Sequence, residues 1–163
     1  MNKKAAFLSD IGIVLAVMLL FSITIIVGYK VFTNYNDKWQ ANPNIDTNSK
    51  VIVGDLQGRY VGLFDGIFVF VFVLMAVMLF VSSMMIGTNP AFFFVVLFLT
   101  VFLIGVSAIM SNVYTDVATS EQMNTTSSTF SSIPYIMDNL PKIALMLAVI
   151  TMIGLFVKIR GYV

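Results

Sequence analysis

Asp65 is the residue of this chain best suited to membrane chemistry, because it is the only acid that an apolar run could enclose. An ionisable group inside a bilayer is a functional hypothesis by default, here a proton or cation site. A plainer reading competes with it. Asp65 follows Arg59 and Tyr60 closely, so a helix that starts early would leave it near the headgroups, paired with Arg59 or water. Charges are inexpensive at that depth, and the sequence favours this second reading. The rest of the chain offers little chemistry. There is no Cys and no His, which removes thiolate nucleophiles, disulfides, Cys/His zinc sites and histidine bases together. The eight acids are dispersed and suggest no carboxylate metal site. No G-x-G-x-x-G, P-loop, H-E-x-x-H or G-x-S-x-G pattern occurs. No cofactor and no enzymatic activity are expected.

The elements that would position Asp65 follow from composition. Hydrophobic residues make up 59% of the 163 residues and charged residues 10%. A soluble domain is about half apolar and a quarter charged, so a chain this apolar needs a bilayer as its solvent. The net charge of +1, with scattered Lys and Arg, argues against nucleic acid as a partner.

Four uncharged or nearly uncharged runs read as transmembrane helices, giving an all-α, polytopic membrane protein in one domain with spans over 11–30, 61–86, 90–111 and 142–159. The first, Ile11 to Tyr29, is bounded by Asp10 and Lys30; 19 residues rise about 28 Å, close to the hydrocarbon thickness. A cleaved signal peptide is the rival, since Asn2-Lys3-Lys4 forms a basic start. The run exceeds a normal signal core and no small-x-small site follows it, so a retained anchor is expected. No charge occurs between Asp65 and Asp116, far more than one membrane thickness. Gly87, Thr88, Asn89 and Pro90 break that stretch into a tight central helical hairpin, with Gly87 suited to a left-handed C-terminal position and Pro90 to a first helical turn. Transmembrane strands are excluded by the lack of polar–apolar alternation. The last run, Ile143 to Val157, is short, but Lys142 and Lys158 can snorkel. An interfacial helix would need a charged face that this run lacks.

Residues 34–60 and 112–140 read as long loops on one side of the membrane, with both termini and the 87–90 turn on the other. Val51-Ile52-Val53 with Gly54-Asp55 suggests a short strand and turn, and Ile133 to Leu140 a short surface helix. Lys3, Lys4, Lys158 and Arg160 lie on the terminal side, against Lys38, Lys50 and Arg59 opposite, so the positive-inside rule leans towards termini inside. Tyr29, Tyr35, Trp39, Tyr60 and Tyr135 suggest an aromatic belt at the loop side. Asn124-Thr125-Thr126 fits a glycosylation acceptor pattern, a weak signal in a Ser/Thr-rich stretch.

Gly58, Gly62 and Gly66 form a double G-x-x-x-G repeat, which puts three glycines on one helix face. Such a face serves either to pack the chain's own bundle, the preferred reading, or to join copies. Phe64, Phe68 and Phe72 lie roughly opposite, Phe94, Phe98 and Phe102 make a similar ridge on the third span, and Ala144 and Ala148 repeat the small-residue spacing in the last. The isolated hydroxyls of Ser22, Thr24, Ser82, Ser83, Thr100, Ser107 and Thr151 are expected to bond to their own backbone or to a neighbouring helix.

The size, the multiple spans, the absence of Cys and His, the Asn/Thr/Ser-rich loops, and the passages Gly62-Leu63-Phe64-Asp65-Gly66 and Asn139-Leu140-Pro141-Lys142 resemble the small integral membrane proteins of tailless icosahedral phages with an internal lipid membrane. That resemblance implies a structural protein that organises the virion membrane and meets capsid proteins through its loops. The partners expected are therefore the lipid bilayer, further copies of the chain, and other membrane and capsid proteins, in a virion membrane or otherwise a bacterial inner membrane. A small transporter or channel subunit is the alternative and would depend on Asp65, with a holin-like pore, assembled through helix packing, as its variant. A membrane enzyme comes last, for want of a nucleophile and base.

Overall fold

A computed structural model describes residues 3–85 and 90–160, and every element among them is α-helical. α1 spans Lys3–Ala41, α2 Thr47–Met85, α3 Pro90–Ala118, α4 Asn124–Ser127, α5 Ser132–Asp138 and α6 Leu140–Arg160. Among the described residues, three helices are long and apolar enough to cross a membrane, within Gly12–Ala41, Thr47–Val81 and Thr100–Ala118. A fourth crossing arises if α5 and α6, bent by 76° at Asn139, count as one broken span. The chain thus has the make-up of a multi-pass helical membrane protein.

The segment 34–60 is not a loop. α1 continues to Ala41 and α2 begins at Thr47, leaving a turn of five residues. Each helix has 39 residues and rises about 58 Å, roughly twice a hydrocarbon core. The two pair along their length: Phe21 stacks on Phe68 at 6.1 Å, and Tyr29 meets Tyr60 at 5.2 Å. Beyond the level of Tyr29 and Tyr60 they form a two-helix stalk. The turn at its tip is locally specified. Pro43 lacks an N–H and disfavours helix at Asn42, which ends α1. The Asn44 N–H donates to Asn42 Oδ1 at 3.0 Å. Asp46 then caps α2: the Ser49 N–H donates to Asp46 Oδ1 at 2.9 Å and the Ser49 hydroxyl to Oδ2 at 2.6 Å. These two bonds, the hydroxyl's foremost, hold the Asp46 carboxyl below its ordinary range.

The expected strand at Val51–Val53, with its turn at Gly54-Asp55, is likewise helix. Three β-branched residues in a row resemble a strand locally, but the cap at Asp46 and pairing with α1 override that preference.

The segment 112–140 is also mostly ordered. α3 runs on to Ala118, past the expected end at Ser111. The low-complexity polar stretch bonds to itself: the Ser127 hydroxyl donates to Ala118 O at 2.7 Å, and the Thr129 hydroxyl to Thr126 O at 2.7 Å. Ser127 thereby satisfies a carbonyl that α3's end would leave orphaned. The short helix expected over Ile133–Leu140 exists as α5, shifted to Ser132–Asp138. It is not simply a surface helix, because Ile133, Ile136 and Met137 are buried.

α3 packs most extensively on α6, α1 on α2, and α2 on α6. Their common core holds Leu15, Met18, Ile26, Phe68, Tyr114 and Leu147. Phe70, Phe98, Val101 and Met146 face outward at 62–75% exposure, far more apolar surface than a soluble monomer tolerates. Of the expected turn at Gly87, Thr88, Asn89 and Pro90, the first three residues lie outside the described residues; Pro90 opens α3. There it loses nothing by lacking an N–H.

Candidate functional site

Asp65 sits on α2 one to two turns from Arg59, on the face turned towards the bundle. Its position in the helix sets that direction: Asp65, Phe68 and Phe72 share the inner side, while Gly62 and Gly66 face out. Asp65 is only 8% exposed. Its carboxylate meets the first turn of α5. The Ser132 N–H donates to Oδ2 at 2.9 Å and to Oδ1 at 3.1 Å, and the Ile133 N–H donates to Oδ1 at 2.9 Å. The Ser131 hydroxyl donates to Oδ2 at 3.0 Å. Ser131, at the N-cap position of α5, makes no capping bond of its own. Asp65 is therefore the cap of α5, supplied from a helix 66 residues earlier in the chain.

This arrangement replaces the expected one. Asp65 does not pair with Arg59; among the described residues its partners are the Ser131 hydroxyl and the N–H groups of Ser132 and Ile133, which open α5. A buried carboxylate is tolerable when donors replace its hydration, and the positive end of a helix adds to the effect. The other end of α5 is tied as well. The Thr115 hydroxyl donates to Asp138 Oδ1 at 3.1 Å and the Ser111 hydroxyl to Asp138 O at 3.3 Å. Tyr114 lies between these anchors, within electrostatic reach of both Asp138 and Asp65, 1% exposed and with no hydrogen-bond partner for its hydroxyl among the described residues. The site is a clasp that holds α5 against α2 and α3. Among the described residues no cluster of acids able to hold a metal occurs.

The glycine repeat is placed differently from the preferred reading. Gly58, Gly62 and Gly66 are exposed, and a Cβ added at any of them meets nothing within 4 Å. They pack nothing inside this chain. Ala144 and Ala148 do, at 2% and 3% exposure in the core. The close helix approaches fall on glycines that the motif did not include. A Cβ on Gly28 would stand 2.9 Å from the Tyr60 hydroxyl, and one on Gly154 would strike the Ser83 hydroxyl and the ring of Phe80. Gly154 was findable, because Ala144, Ala148, Thr151 and Gly154 continue one small-residue face of α6. Gly28 carries no such signal.

The expected aromatic belt is not one layer. Tyr29 and Tyr60 pack on each other, with Phe130 edge-on to Tyr29 at 5.5 Å. Tyr35 and Trp39 pair at 5.5 Å, one to three turns further along the stalk. Tyr135 points outward from α5 at 70% exposure. Of the phenylalanine ridges, Phe68 is core and Phe64 and Phe72 are half-buried, whereas Phe98 and Phe102 face outward. Ser22, Ser83, Ser107 and Thr151 each donate to a carbonyl three residues back. Asn124 of the acceptor pattern is exposed at the start of α4.

Comparison with protein-family models, with curated proteins and with solved structures finds no match.

Proposed function

We propose that this chain is a structural integral membrane protein that works by helix association, with four spans counting α6. In this reading copies join through the outer face of α2, and the stalk stands clear of the bilayer to meet other proteins. The observation that carries it is the bare glycine face: Gly62 and Gly66 are open to the outside, and a Cβ added at either meets no other described residue within 4 Å. Small residues that pack nothing internally give a second helix backbone close access. The stalk adds support, because Val51, Ile52 and Leu56 are 55–60% exposed on it, beyond the paired tyrosines. An apolar patch outside the bilayer suits a protein partner. The resemblance of type makes the setting the internal membrane of a virion and the partner a capsid protein. A pore or transporter subunit is less well supported, since Asp65, the acid it would use, is committed to α5.

The chain has no cysteine, which makes the test direct. Gly62→Cys should form disulfide-linked dimers in native membranes under mild oxidation, and Phe102→Cys, outward on α3, should not. Gly62→Leu should lower the associated fraction, since overpacking a helix contact costs about 1–3 kcal/mol. A chain that stays monomeric at every density, with Gly62→Leu indistinguishable from wild type, would remove the basis of this reading.

A further inference from the structure

An open groove of about 500 Å³ runs along the outer surface between α2, α5 and α6. Its volume falls in the range of about 300–1,000 Å³ usual for ligand sites. Phe72, Ala76 and Leu147 form its floor, and it reaches Ile150. A neighbouring hollow extends it along α2 to Phe80. Only the end nearest the stalk is polar, where Tyr135, Asn139 and Lys142 stand. The Lys142 ammonium donates to Asn139 Oδ1 at 2.8 Å, and the Asn139 amide donates to Tyr135 O at 2.8 Å, so the cation is held at the mouth. An ammonium has three donors, and two are left for a ligand. No acid lines the groove. The adjacent Asp138 turns to α3, where Thr115 donates to it.

We propose that this groove binds an anionic phospholipid, with one acyl chain along α2 and α6 and the phosphate at Lys142. The groove is apolar along its length and cationic at one end, which complements a lipid in both shape and charge. Its length also fits. Lys142 to Ile150 is eight residues of helix, about 12 Å, against about 15 Å for one leaflet of hydrocarbon. The mouth lies at the stalk end of the bundle, where headgroups of that leaflet would be. The proposal requires that the bundle sit in a bilayer; it does not require that copies associate.

Native mass spectrometry of the full chain in detergent tests it, with phosphatidylglycerol and phosphatidylcholine of identical chains as probes. Wild type should retain one phosphatidylglycerol in preference to phosphatidylcholine by about fivefold, the size expected for one lysine near an anionic headgroup. Lys142→Gln should bring the two lipids to parity. Ala76→Leu should fill the groove and lose both, and Ile150→Trp, at the open rim, serves as the filler if Ala76→Leu melts early. Lys38→Gln on the stalk should change nothing. Equal retention of the two lipids by wild type, or a preference that survives Lys142→Gln, overturns the proposal. So does a filler variant that abolishes a dimer while lipid stays bound, which would assign the groove to a second copy.

Discussion

At the scale of single residues, Asp65 decides most. A sequence reading singles it out as the one acid that an apolar run could enclose, and the structure buries its side chain. Its partner was not legible, because Ser131, Ser132 and Ile133 lie 66 to 68 residues away with no local signal linking them. The difference reverses an expectation. A headgroup-solvated carboxylate would tolerate Asp65→Asn. A capping carboxylate does not, because the amide offers one acceptor oxygen where two now receive N–H bonds, and turns its own N–H₂ towards donors. Lost caps cost about 0.5–2 kcal/mol and buried unsatisfied donors about 1–3. Asp65→Asn should therefore lower the melting temperature in detergent by several degrees, and Asp65→Ala by at least as much. Thermal melts of the two variants superimposing on wild type would rule out the cap. The glycines teach the same lesson from the other side. The motif at Gly58, Gly62 and Gly66 was legible, but which of its two uses applies was not, because helical spacing names a face and not what covers it.

At the scale of elements, the uncharged runs were legible because apolar length is a strong signal, and all four appear as helix. What the sequence hid was how far α1 and α2 continue. Residues 34–60 are rich in Asn and Asp and read as loop, yet their polar side chains bridge the two helices. The Asn36 amide donates to Gln57 Oε1, the Gln57 amide to the Thr33 hydroxyl at 3.4 Å, and the Gln40 amide to Asn36 Oδ1 at 3.1 Å and to Lys50 O at 2.8 Å. Asn36 is 5% exposed despite its position beyond the apolar run. Composition counts such residues as solvated; a polar seam between two helices uses them as packing. Asn36→Ala should leave Gln40 and Gln57 without this partner, at a cost of about 1–3 kcal/mol. Hydrogen exchange should then accelerate at amides of 36–57, while those of 61–81, held by the core, keep their protection. Uniform protection in the variant would mean that the seam contributes little and that the stalk stands on its apolar contacts alone.

At the scale of the whole molecule, the open question is how many times the chain crosses, and it turns on α6. The helix has 21 residues and rises about 31 Å, enough for a bilayer, but it meets α5 at 76° and its start is tied to the stalk end of the bundle. It packs on both α3 and α2, and reaches as deep as Gly154 against Ser83. An element that pairs with two crossing helices to that depth should cross with them, so both chain ends should share one side. Asn44, exposed at the stalk tip, and Thr125, exposed on α4, should share the other. Ser127 would be a poor reporter there, since its hydroxyl is buried and donates to Ala118 O. Single cysteines at Asn2, Asn44, Thr125 and Tyr162 in this cysteine-free chain give four labelling positions for an impermeant reagent on sealed vesicles. Asn44 and Thr125 should label together, and Asn2 and Tyr162 together from the opposite face. Each departure has its own meaning. Asn44 and Thr125 on opposite faces would show that α2 or α3 fails to cross, because those two helices alone separate them. Tyr162 labelling with Asn44 would leave the first three crossings intact and show that α6 turns back, a bundle of three spans with a re-entrant arm.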